Sequence, residues 1–255
     1  MDFEKKYLLA IESTGRICSV ALFSIANFEL ISEYSIYVGN KHDRFLAELC
    51  YRILTDNNLK VVDLSAVAVS IGPGSFTGLR IGSAIAKGLC FDDTEDSGEN
   101  CKSEKTENNI EKNHSIKLIA VPTLRALSYR VCEFLRTKNN LFANADYKIL
   151  SIIPSHNDLV YEQLFDLQNN NLTEISFSKI DDIKNKYAKN ELLFLSTNQK
   201  IEIDLGIYLS DFSQITGATV GRLAIQMYQN NEFTEPDKLV PLYIQDFIPK
   251  QPNGC

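Results

Sequence analysis

A near-continuous apolar run, Leu64 to Ile71, passes without a polar linker into Gly72-Pro73-Gly74-Ser75-Phe76-Thr77-Gly78 and then into a helical pattern. A run of that length without alternation reads as a strand buried on both faces, the habit of parallel sheets. Three of only 12 glycines in 255 residues fall in this one turn. Strand, glycine turn and helix in that order have the shape of a phosphate cradle, because bare backbone N–H groups and a helix N-terminus favour an anion.

Spacing removes two specific versions of that chemistry. A P-loop ends in Gly-Lys-Ser/Thr, whereas Gly78 is followed by Leu79-Arg80. A nucleophile elbow is G-x-S-x-G, and Ser75 has Pro73 and Thr77 where those glycines belong. Ser75 therefore reads as a turn hydroxyl bonding backbone N–H groups, and His42, at the start of a helix, as a surface residue.

The elements around the turn set the fold class. Lys6–Glu12, Ile17–Ile25 and Leu30–Val38 are apolar, β-branched runs separated by short turns, which predicts an antiparallel meander. Leu46, Leu49, Cys50, Ile53 and Leu54 recur at helical spacing and predict a helix over Arg44–Leu54. A second helix follows the glycine turn to Phe91, Ile116–Val121 gives another buried strand, and Pro122 is placed to open a helix through Arg136. The order β-β-β-α-β-α, then β-α, predicts an α/β protein with a mixed sheet flanked by helices.

A second block of strand-like runs begins at Asp146: 147–153, 159–165, 172–177 and 192–195, then a helix over 213–228 and a tail over 240–247. The reading divides the chain into lobes 1–121 and 122–255. Helix 122–136 connects them, and the last segment is a candidate to return to the first lobe. Within the first lobe Asp92–Ser115 carries eight acids, three lysines and one apolar residue, Ile110. Such a stretch buries too little surface to offset its ordering and is expected to be disordered.

Composition narrows the function classes. The six cysteines are scattered singly and the three histidines lie far apart, so local spacing offers neither a disulfide framework nor a metal site. The net charge is −7, most of it in the acidic insert, and no basic stripe marks a nucleic-acid surface. The first apolar segment, Tyr7–Ile11, is shorter than a signal peptide's core or a membrane span, which predicts a cytoplasmic protein.

The segments LLAIESTGRICSVALF, VSIGPGSFTGLRIGSAIAKGL, LIAVPTLRALS and PLYIQ together resemble the TsaB (YeaZ) family, densely over residues 6 to 130 and thinly beyond. The resemblance implies two duplicated actin-like, ribonuclease H-like lobes. It also implies a non-catalytic subunit that pairs with and activates TsaD, the catalytic subunit that forms N6-threonylcarbamoyladenosine at position 37 of tRNAs reading codons that begin with A. A TsaE-like ATPase would complete the set, with tRNA contact indirect or weak, and a homodimer could form through the same helices when the partner is absent.

Set against the family, Glu12-Ser13-Thr14 stands where most relatives have Asp in the first phosphate hairpin. Helix two carries no histidine, where TsaD-like enzymes use H-x-x-x-H for the catalytic metal. Glu12, Ser13, Thr14, Gly72, Gly74 and Ser75 therefore read as a degenerate nucleotide site, without catalytic residues, metal or a cofactor of its own. ATP or ADP would be confined to the partner interface. The competing reading is an actin-like kinase or transferase acting alone, with ATP between Glu12-Ser13-Thr14 and Gly72-Pro73-Gly74-Ser75.

Gly78, Gly82 and Ala86 form a strip without side-chain bulk along helix two, beside Ile81, Ile85 and Leu89. By periodicity alone the strip belongs against the chain's own core. The family resemblance tips the expectation towards a partner interface made of Leu46, Leu49, Cys50 and Ile53 with Gly78, Gly82, Ile85, Ala86 and Leu89.

Overall fold

Two short hairpins and two buried parallel strands build the first sheet. The computed structural model describes residues 7–37, 42–91, 115–137, 147–187, 193–199, 201, 203, 205–208 and 214–244. Strands β1 (Tyr7–Glu12), β2 (Ile17–Ser24) and β3 (Leu30–Tyr37) form the antiparallel meander. Strand β4 (Leu64–Gly72) adds parallel to β1, and β5 (Lys117–Pro122) parallel to β4, giving the order β3-β2-β1-β4-β5. Helix α1 (His42–Thr55) follows β3, and α2 (Phe76–Cys90) follows β4.

The second sheet repeats the plan. Strands β6 (Lys148–Pro154), β7 (Leu159–Phe165) and β8 (Ser176–Lys179) are antiparallel. Strands β9 (Leu193–Thr197) and β10 (Ile207–Tyr208) run parallel to β6, in the order β10-β9-β6-β7-β8. Position for position, β6 to β10 stand in for β1 to β5. The structure thus has the two-lobed mixed α/β architecture expected.

The helices divide the core into three. Helices α3 (Thr123–Thr137) and α5 (Gly217–Gln229) lie between the sheets, where Ala10, Phe23 and Val121 meet Val131, Ile149, Phe194, Leu223 and Ala224. Helices α1 and α2 cover the outer face of the first sheet through Leu46, Ile53 and Ala86 on Leu9, Ile11 and Val67. Helix α4 (Ile180–Tyr187) covers the second sheet through Ile183 and Tyr187. No helix among the described residues is long and apolar enough to cross a membrane.

Several boundaries differ from the sequence reading. Pro122 ends β5, and α3 starts at Thr123, so the proline closes a strand and does not open the helix. The run 172–177 yields a strand only from Ser176. Helix α4 and strand β10 carried too short a pattern to be predicted. The acidic insert lies outside the described residues from 92 to 114, as does the tail from 245 on.

Helix α5 comes from the end of the chain yet packs on the first lobe. Its first turn is held by Ser19 Oγ, which accepts from Gly217 N at 2.8 Å, and by Glu33 Oε1, which accepts from Ala218 N at 2.9 Å. A carboxylate at a helix N-terminus also meets the positive end of the macrodipole. A Cβ built on Gly217 would lie 2.7 Å from backbone atoms of Val20 and Ala21. Gly217→Ala must therefore push α5 off β2, and is expected to lower unfolding free energy by about 3 kcal/mol in urea denaturation. Gly88→Ala, whose Cβ would meet nothing within 4 Å, is expected to gain up to about 1 kcal/mol through helix propensity.

Candidate functional site

Each of the degenerate-site residues sits at one end of the first sheet, where the β1–β2 hairpin meets the glycine turn. The two segments touch. Ser75 N donates to Thr14 O at 2.8 Å, and Ser13 Oγ donates to Gly78 O at 2.8 Å. A Cβ on Gly74 would lie 2.6 Å from Thr14 Cβ, and one on Gly78 only 1.8 Å from Ser13 O. Any side chain at Gly78 would collide with backbone, so the turn is glycine-rich because a hairpin is seated on it.

Two further donors of the turn, Gly72 N and Gly78 N, are also engaged. Thr123 Oγ1 accepts from Gly72 N at 3.1 Å, tying β4 to the start of α3. Ser75 is the N-cap of α2, its Oγ accepting from Gly78 N at 3.3 Å. The tail closes over the turn, with Leu242 N donating to Ile71 O at 2.7 Å. Tyr243 packs on Phe76 with ring centroids 5.2 Å apart, and the Arg80 guanidinium lies 4.6 Å from the Phe76 ring centre.

Glu12, the last residue of β1, is wholly enclosed at 0% exposure. Its Oε1 accepts from Thr14 N at 2.5 Å, Thr14 Oγ1 at 2.6 Å and Gly15 N at 3.2 Å. Its Oε2 is buried with no hydrogen-bond partner among the described residues. Burial pushes the Glu12 carboxyl above its ordinary value; the hydrogen bonds from Thr14 and Gly15 pull the other way and are outweighed. Burial, reinforced by Glu12, pushes the Cys18 thiol up to about 12. Cys50, Cys90 and Cys132 are likewise buried, and all four are free thiols.

The structure corrects most of the expected partner surface. Leu46, Leu49, Ile53 and Ala86 are buried in the core of their own lobe. Gly78 meets the Ser13 backbone, and a Cβ on Gly82 would lie 2.4 Å from Ser13 Oγ. The small-residue strip serves close packing of α2 on β1 within the chain, and these six residues are not available to a partner. Cys50, Ile85 and Leu89 are different, because they line an apolar groove between α1 and α2.

That groove has a volume of about 410 Å³, and Ala47, Tyr51 and Gly88 complete its lining with Leu54, Leu59 and Val61. Tyr51 is 65% exposed although it is large and aromatic. The sequence reading missed Ala47, Tyr51 and Gly88. Ala47, Tyr51 and Thr55 recur every fourth residue beside the core stripe, a signal masked by the stronger leucine pattern.

Neutral Glu12 is the form that burial favours in the folded chain. Its contribution to stability is complete below the ordinary value of 4.5 and is lost as pH rises through the higher folded value. Glu12→Gln has no such proton to lose. Denaturation midpoints of the two proteins, compared from acid to neutral pH, are expected to show the wild type falling relative to Glu12→Gln as pH rises.

Comparison with known proteins places this unit. The family model "TsaD: tRNA N6-adenosine threonylcarbamoyltransferase" matches residues 37–93, which span α1, β4 and α2. The chain is 38% identical over 88 residues to the tRNA threonylcarbamoyladenosine biosynthesis protein TsaB of Escherichia coli K12, covering 33% of this chain and 35% of that protein. It is 36% identical over 84 residues to the protein of the same name from Haemophilus influenzae, covering 33% and 34%. These matches span about a third of the curated relatives' length. In structure, the chain resembles YeaZ from Pseudomonas aeruginosa, with a TM-score of 0.67 and 17% identity over 94% of this chain and 100% of that one. That likeness shows the shared fold.

Proposed function

We propose that this chain is a member of the TsaB family, with which it shares a third of its length at 36–38% identity, and that it acts in the biosynthesis of threonylcarbamoyladenosine in tRNA as a non-catalytic subunit paired with a TsaD-like catalytic subunit. The observation that carries the reading is the apolar groove between α1 and α2, open at the surface and floored by Cys50, Ile85 and Leu89. The TsaD family model matches the stretch that builds this groove. Two chains that share one α-β-α unit can pair through it about a pseudo-twofold axis, each presenting the same helix faces to the other.

The site at the glycine turn supports a subunit without chemistry of its own. The hairpin and the turn that would flank a nucleotide are bonded to each other, and α2 carries no histidine. In this reading the modified base is position 37 of tRNAs reading codons that begin with A. A TsaE-like ATPase joins the complex, any ATP or ADP sits at the partner interface, and tRNA is touched weakly or indirectly. The cytoplasm is the matching compartment for such a role.

Gly88 offers a clean probe, because added atoms there point into open space in the isolated chain. Gly88→Arg is expected to leave thermal stability unchanged or higher while filling the groove mouth. Size-exclusion chromatography with the TsaD-like subunit of the same organism is expected to show a complex for wild type. For the variant, affinity should be weaker by roughly tenfold or more. A wild-type chain that forms only its own homodimer, with tRNA modification equally fast in its absence, would sink the proposal.

A further inference from the structure

Successive backbone N–H groups in a turn make a concavity that attracts an anion. Thr14 N and Gly15 N are such a pair, at the tip of the β1–β2 hairpin, and both converge on one oxygen, Glu12 Oε1, at 2.5 and 3.2 Å. Thr14 Oγ1 adds a third donor to the same atom at 2.6 Å. The carboxyl group that receives them is completely enclosed. Across the interface, Ser75 N, Gly78 N and Gly72 N are taken by Thr14 O, Ser75 Oγ and Thr123 Oγ1.

We propose that Glu12 is a built-in occupant of the hairpin's anion nest, so that the chain's own carboxyl group holds the donors a nucleotide phosphate would need and shuts this cleft to phosphate. Length matters to the device. The side chain reaches forward past Ser13 to residues two and three positions on. Ser13 and Thr14 meanwhile remain free to lock onto Gly78 and Ser75. The space between hairpin and turn is closed as well: Gly74 and Gly78 have no room for even a methyl group, and a phosphate is larger.

The inference extends the non-catalytic reading, and the two fail separately. Complex formation with a TsaD-like subunit is measured by chromatography, whereas occupancy of the nest is read on the isolated chain. Amide NMR of the wild type during titration with inorganic phosphate and with Mg-ATP is expected to leave the Thr14 and Gly15 signals unmoved. A saturable shift of either signal overturns the proposal.

Glu12→Ala empties the nest and leaves buried donors without acceptors, lowering the denaturation midpoint. Added formate, a carboxylate small enough for the vacated space, is expected to restore roughly half or more of that loss by mass action, while having no such effect on wild type. A folded Glu12→Ala protein that gains no more from formate than wild type does overturns the proposal. Should Glu12→Ala fail to fold, the wild-type titration decides alone.

Discussion

Everything in the first lobe depends on one contact, the seating of Ser13-Thr14 on the glycine turn. Two hydrogen bonds, Ser75 N to Thr14 O and Ser13 Oγ to Gly78 O, tie the end of β1 to the start of α2. Because Gly78 and Gly82 carry no side chain, α2 comes down directly on Ser13. Its height above the sheet is thereby fixed by backbone contact and not by interdigitating side chains. That height determines where Ile85 and Leu89 emerge, and hence the depth of the groove they share with α1.

The first lobe is nevertheless incomplete without the end of the chain. Helix α5 closes the inner face of the first sheet, its N-terminus held by Ser19 and Glu33. Beyond it, Thr234 N bonds Leu118 O on the edge strand β5 at 2.8 Å, which keeps that edge from standing open. Leu239 is buried in the outer core, and Leu242 bonds the end of β4. A fragment ending at residue 121 would expose the face of Ala10, Phe23 and Val121 that α5 covers. Sequence boundaries between lobes thus differ from boundaries of cooperative folding: residues 217–242 belong, by their contacts, as much to the first lobe as to the second.

Much of this was legible because the first lobe states its pattern plainly. Strands β1, β2, β4 and β5 are apolar and long enough to stand out, and the leucine spacing of α1 reads directly as a helix. The second lobe was harder for a physical reason. Helix α4 is eight residues long, opens with Asp181 and Asp182, and buries only Ile183 and Tyr187, so its periodicity covers two turns. At the site, the strip of Gly78, Gly82 and Ala86 announces close approach by something. Sequence spacing has no sign for the direction of that approach, and the family resemblance pointed outwards where the structure has Ser13. Glu12 reads from sequence as part of a degenerate nucleotide site; its bonds to Thr14 and Gly15 depend on hairpin geometry that no spacing rule encodes.

A glycine-rich strand-to-helix turn is therefore weak evidence for a bound phosphate until its donors are counted. An anion site needs N–H groups pointing into space, and a packed turn needs the same glycines with those groups already engaged. Here the described bonds assign Gly72 N, Ser75 N and Gly78 N to acceptors within the chain, and the neighbouring hairpin gives Thr14 N and Gly15 N to Glu12. Substituting Gly74 or Gly78 would harm the fold whether or not a ligand ever entered, so packing by itself accounts for these glycines. The surface left for recognition lies one helix face away, where Tyr51 stands exposed beside a groove that the described residues do not fill.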